Sequence, residues 1–205
     1  GPDESLRWFD GVIRKAFKVK YGVRLGPRHQ TEGSFLGRLI RYVPRHGFEY
    51  CPSRQHIDKA AANTGLEGAK PVQAPGVKDH GAVLSDALDL LPAGDRDKYV
   101  SATGSLIYLS VDRYDIQYVV RLLAQKLATP TKLDWLRLRH LVKYLLGTAD
   151  WVWSFPFQER SEELQAQSDS DWAQDEKTRK SVSSGFLRCG AHVWEHWCCG
   201  QQLVA

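Results

Sequence analysis

Nowhere in the 205 residues do two aspartates stand side by side, and no apolar run approaches the ~18 residues that a membrane-spanning helix needs. The second absence excludes a bilayer-crossing helix. The first removes the most compact carboxylate clamp for metal-assisted phosphoryl transfer. No charged-then-apolar leader opens the sequence. Cysteine is scarce: four, at positions 51, 189, 198 and 199, too few and too unevenly placed for a disulfide framework. Reduced thiols and an intracellular setting, cytoplasmic or nuclear, are the expectation. Hydrophobic residues at 42% and charged residues at 25% exclude a disordered chain. The length allows one large domain or two small ones with a real core.

The net charge of +4 is unevenly spread. Residues 1–50 hold 10 Lys and Arg against 5 Asp and Glu; residues 51–150 hold 13 against 11; residues 151–205 hold 5 against 8. A basic front and an acidic end suit a polyanion-binding body joined to a metal-binding or merely solvated tail.

Periodicity gives the elements. "DESLRWFDGVIRKAF" sets Leu6, Phe9, Ile13 and Phe17 at helical steps, an amphipathic helix over residues 3–17. "FKVKYGVRL" and "SFLGRLIRYV" read as two strands of a hairpin around "GPRHQTEG", and "FEYC" as a third short strand. Residues 53–66 read as a helix ending at Gly65 or Gly68, and "KPVQAPGVKDHGAV" as a loop. Residues 97–127 read as a long helix broken near 113–115. The plainest helix is 131–146, opened by a Thr131–Asp134 capping box and stopped at Gly147. Its apolar arc holds Trp135, Leu138, Leu141, Val142, Leu145 and Leu146; a second arc holds Lys132, Arg139, His140 and Lys143. That basic arc is either a solvated face or a strip that follows a phosphate backbone. Beyond Gly147 come short β-like runs, "ADWVWSFPF", "LQAQSDSDW", "SVSSGFLR" and "AHVWEHW".

These residues carry a family resemblance. "GSLIYL" at 104–109, Arg113–Ile116, Thr129–Thr131 and Trp135–Thr148 are similar in type and order to motifs of copia-type LTR retrotransposon Pol polyproteins. "QSDSDWAQDEKTRKSVSSG" resembles the stretch that opens that family's RNase H domain, and "FLGRLIRY" and "GLEGAKPVQAPG" resemble motifs that precede it. The resemblance implies an α+β fold. Residues 1–78 would be the end of a polymerase palm with a β-hairpin and a thumb-like region, 79–150 a helical connection, and 151–205 an incomplete, truncated RNase H-like antiparallel sheet. It implies a reverse transcriptase/RNase H region that holds the template-primer RNA–DNA duplex or hybrid, alongside the remaining parts of a Pol polyprotein and away from membranes. Lys132, Arg139 and Lys143 would be the nucleic-acid-binding residues.

The resemblance also makes Asp169 the first RNase H aspartate, catalytic by descent and a ligand of Mg2+. Asp171 closes the following turn. The family's polymerase carboxylates and later RNase H carboxylates have no counterparts here, so the chain is expected to be inactive alone and to hold Mg2+ only weakly. Gln174 and Ser184 depart from the family's glycines. The alternative is a host-encoded, non-enzymatic remnant of a decayed element that binds nucleic acid or serves as a structural module.

Three other sets are explained more simply. Cys189, His192, His196, Cys198 and Cys199 lie close in sequence, but not at zinc-finger spacing, and strand packing is the default. Asp112, Asp115 and His140 are expected to be helix caps and surface charges. Most of the seven tryptophans are expected in the core, although one or two could stack on bases. Trp194, Trp197, Phe186 and Val193 are expected to remain partly exposed on a sheet whose covering helices are missing.

Overall fold

A computed structural model describes residues 3–20, 22–77, 87–172 and 179–204, with side chains placed up to residue 201. Among them are five α-helices and two antiparallel sheets. The helices are α1 (Asp3–Ala16), α2 (Gln55–Thr64), α3 (Ala93–Ser110), α4 (Gln117–Ala124) and α5 (Lys132–Gly147), and a 3₁₀ turn at Tyr114–Ile116 leads into α4. The first sheet is ordered β1 (Glu32–Phe35), β2 (Arg38–Val43), β3 (Gly47–Cys51) and β4 (Trp153–Pro156). The second is β5 (Leu164–Ser170), β6 (Lys180–Cys189) and β7 (His192–Val204).

The core is helical. Ile57, Ala60 and Ala61 of α2 meet Tyr99, Ala102, Leu106 and Leu109 of α3, Val120 and Leu123 of α4, and Leu138, Leu141, Val142 and Leu145 of α5. The apolar arc of α5 is therefore buried much as its 3.6-residue period requires. Its capping box is formed: the Thr131 hydroxyl accepts from the Asp134 amide, and Asp134 Oδ2 accepts from the Thr131 amide at 3.0 Å. The buried Tyr99 hydroxyl donates to the Leu123 carbonyl at 2.8 Å, so this polar group enters the core satisfied.

Several expectations are corrected. Residues 17–20 and 22–24 form no strand, and Val19 and Val23 stay exposed. "SFLGRLIRYV" itself makes the hairpin, β1 to β2, turning at Leu36 and Gly37 with φ of 50° and 78°. Left-handed φ at two successive residues matches the right-handed twist of paired strands. α5 ends at Gly147, as expected, with Thr148 as its C-cap, and a Cβ at Gly147 would lie 2.7 Å from Pro71 Cβ. Its small size lets the 69–77 loop cross the end of the helix.

β4, which lies beyond the expected boundary at 150/151, pairs with β3 through Tyr50↔Trp153 to Gly47↔Pro156. The boundary at 78/79 and the end of the 70–83 loop lie outside the described residues.

The greatest departure is at Asp112 and Asp115, which are not surface charges. Asp112 is buried, taking Arg38 Nε at 2.8 Å and the Tyr50 hydroxyl at 2.6 Å, while its carbonyl accepts Trp153 Nε1 at 2.7 Å. Arg113, only 1% exposed, makes a two-pronged pair with Asp115 at 2.9 and 2.7 Å and donates to the Thr148 carbonyl and hydroxyl. The Tyr144 hydroxyl completes Asp115 at 2.7 Å. Burial pushes the Asp115 carboxyl up, but the Arg113 and Tyr144 hydrogen bonds outweigh it and hold it below the usual carboxylate range. Its folded value is depressed, so the pair's contribution is present above the ordinary carboxylate range and lost as pH falls through the lower folded value.

Breaking this pair leaves Arg113 buried and uncompensated. Asp115→Asn is expected to destabilise the chain by about 3 kcal/mol in urea unfolding followed by tryptophan fluorescence, and to flatten the acid limb of its stability profile. A cost under about 0.5 kcal/mol, the range of ordinary surface changes, would show that the pair is not structural.

Candidate functional site

Two places carry the chemistry suggested by the sequence: the basic arc of α5 and the strand bearing Asp169. The arc is not one open face. Arg139 Nη1 donates to the Thr64 carbonyl at the end of α2, His140 Nε2 bonds the Ala74 carbonyl at 3.0 Å, and Lys132 Nζ sits 3.2 Å from Asp89 Oδ2. A cation on the last carbonyls of α2 suits the negative end of that helix. Lys143 is half-buried, with no hydrogen-bond or ion-pair partner among the described residues. The arc thus ties α5 to α2 and to the 69–77 loop while keeping its positive charge near the surface.

Asp169 lies on β5 opposite Ser184, exposed, with Oδ1 accepting from the Ser170 amide at 2.9 Å. Asp171 lies just past the strand: its Oδ1 accepts from the Val182 amide at 2.8 Å and its amide donates to the Val182 carbonyl. It closes the turn, as expected. Among the described residues no three of His, Cys, Asp and Glu gather where one cation could be held. Gln174 lies outside the described residues.

The same holds for the Cys and His cluster. His192 Nε2 bonds the Pro156 carbonyl at 2.7 Å, Cys189 Sγ points to the Ser161 carbonyl, and Cys199 is exposed. A register shift between Leu187 and Arg188 pushes Trp194 out, 67% exposed.

Sequence reasoning missed the cleft that these groups help to build. A cavity of about 570 Å³ opens between the 112–118 segment with β4 and the face of the second sheet. Tyr114, Trp153, Phe186, His196 and Trp197 line it, with Gln117, Asp169 and Arg188 among the polar groups. The His196 ring stacks on Trp153, 5.5 Å between centroids and 15° between planes, with Tyr114 6.0 Å away. Gly185 admits the Trp197 ring: a Cβ there would lie 2.3 Å from Trp197 Cζ2. Val193, Phe186 and Trp197 are therefore half-buried against the rest of the chain, whereas Trp194 stays in solvent. No tryptophan reaches full burial, and Trp8, Trp172 and Trp194 are well exposed, which corrects the expected core placement. The one available signal was that Tyr114, Trp153 and His196 are each amphipathic rings, but nothing local in the sequence pairs them.

Similarity to known proteins fits this arrangement of motifs. The chain is 32% identical over 181 residues to the retrovirus-related Pol polyprotein from transposon RE2 of Arabidopsis thaliana, covering 88% of this chain and 12% of that protein. It is 28% identical over 207 residues to the Pol polyprotein from transposon TNT 1-94 of Nicotiana tabacum, 95% of this chain and 14% of that one. The chain belongs with the copia-type retrotransposon Pol polyproteins. An uncharacterized mitochondrial protein of Arabidopsis thaliana is a further relative, 28% identical over 174 residues, 83% of this chain and 67% of the other. The copia-type chain spans roughly an eighth of the length of the transposon polyproteins that it resembles. No protein-family profile matches it, and no solved structure does.

The His196 ring offers a probe of the cleft. Burial, the largest cause, lowers its pKa below the ordinary imidazole value. A base with a depressed folded value is held neutral by the fold, so this stability is present above the ordinary value and lost as pH falls below it. In NMR titration His196 should protonate at lower pH than an exposed histidine, and Trp153→Ala should bring it back toward the ordinary value. Titration of His196 at or above that value in the unaltered chain would mean the stacked wall does not form.

Proposed function

We propose that the chain is the duplex-holding part of a retrotransposon reverse transcriptase, running into the first strands of its RNase H region, and that it grips an RNA–DNA hybrid through the sugar-phosphate backbone. The observation supporting this reading is the sequence of parts along the chain: a helix with Lys132, Arg139, His140 and Lys143 on one arc, then β4, then an antiparallel sheet with Asp169 exposed on its first strand. Contacts of this kind are electrostatic and blind to base sequence, because phosphates repeat along every duplex. The reading places the chain in the cytoplasm or nucleus with the rest of a Pol polyprotein. Asp169 serves here as the remnant of a metal position and not as a working site.

The test is fluorescence anisotropy of a labelled hybrid over a salt series. Binding should be weak, independent of sequence and steeply salt-dependent. Lys143→Glu should weaken it for every sequence alike and reduce the log–log salt slope by about one. Arg139 is a poor choice for this purpose because it also holds the end of α2. An unchanged slope in Lys132→Glu with Lys143→Glu would make the arc a structural seam only, and the proposal would fall.

A further inference from the structure

Helix α1 is amphipathic, and its apolar half is exposed. None of its residues is buried, and no other described helix or strand packs along it. Asp3 pairs with Arg28 at 2.9 Å, and Asp10 with Arg14 of the same helix at 3.0 Å. At about 100° per residue, Trp8, Val12, Ala16, Phe9, Ile13, Leu6 and the following Phe17 fill one half of its surface. Trp8 is 70% exposed, Phe17 68% and Phe9 57%. A helix of 14 residues is marginal by itself, so this one needs its apolar half covered.

The charges indicate what covers it. Asp3 and Glu4 occupy the first turn, and Arg14 and Lys15 the last. Two copies laid antiparallel about a two-fold axis near Phe9 set Leu6 of one copy level with Ile13 of the other. The same register sets Glu4 level with Lys15. Glu4 and Lys15 lie about three turns apart, on one flank of the apolar half, so each faces its opposite charge across the axis. A two-fold contact repeats every favourable pair and also opposes the two helix dipoles.

The polar face carries Asp3, Glu4 and Asp10 against Arg7, Arg14 and Lys15, three of each sign. Such a face lacks the net positive charge with which interfacial helices hold anionic lipid.

We propose that α1 is a self-recognition surface through which two copies of this chain associate as an antiparallel helix pair. This is independent of nucleic-acid binding. The interface is small, so the dimer forms at micromolar concentrations or above.

Sedimentation velocity of the full chain, over a wide concentration range, is the test. It should show one chain passing to two and no further. Glu4→Lys and Lys15→Glu should each lower the association constant at least about tenfold. An equimolar mixture of these two variants should restore a two-chain species, because only the mixed pair regains both attractions. Phe9→Glu should give a single chain with an unchanged thermal melt, since α1 contributes nothing to the core. A chain that stays single at every concentration overturns the proposal. So does a dimer indifferent to Phe9→Glu, which would place association at a sheet edge. A single chain that binds phospholipid vesicles, and loses them with Phe9→Glu, overturns it in favour of a lipid-facing helix.

Discussion

Five consecutive residues, Asp112 to Ile116, reach the first sheet, the end of α5, the second sheet and the helical core, and two well-paired carboxylates make that possible. Asp112 draws in Arg38 of β2, Tyr50 of β3 and, through its carbonyl, Trp153 of β4. Arg113 and Asp115 lock the end of α5 through Thr148 and Tyr144. Tyr114 turns its ring toward Trp153 and the His196 ring of β7, and Ile116 enters the helical core. Each carboxylate is surrounded by donors, which is the condition under which a charge can be kept from water. The break between α3 and α4 is thus the junction of the fold. A continuous helix could not point these side chains in so many directions.

The cleft is a by-product of that junction. The second sheet meets the rest of the chain mainly through the 3₁₀ turn, α4 and β4, so one face is sheltered near Tyr114 and open further out. Asp169 lines the cleft, whereas Lys132 and Arg139 of α5 are tied to Asp89 and the end of α2. In the duplex-holding reading the cationic and acidic regions have separate duties.

What could be read from sequence was whatever is local. Helix α5, its capping box and its buried arc follow from period and end residues alone, and α2 ends at Gly65 as its glycine suggests. The hairpin was misplaced because alternation in "FKVKYGVRL" signals a strand only where a layer exists to bury one side of it. Asp112 and Asp115 resemble ordinary helix-end acids. Their burial depends on Arg38, 74 positions earlier, and on Tyr144, 29 positions later. The position of Asp169 on its strand was readable from family motifs, but the aromatic wall beside it was not. That wall joins residues of the 3₁₀ turn, β4 and β7 across long stretches of chain.

The pairing of β4 with β3 also fixes an order of events. Residues 47–50 wait for residues 153–156, so the first sheet cannot acquire its fourth strand until the whole helical body has left the ribosome. Local hairpins and helices close early and long loops close late. During synthesis β3 therefore presents a bare edge for about a hundred residues of elongation, and the free side of β3 is where a nascent chain would be captured by a chaperone or by a neighbouring strand.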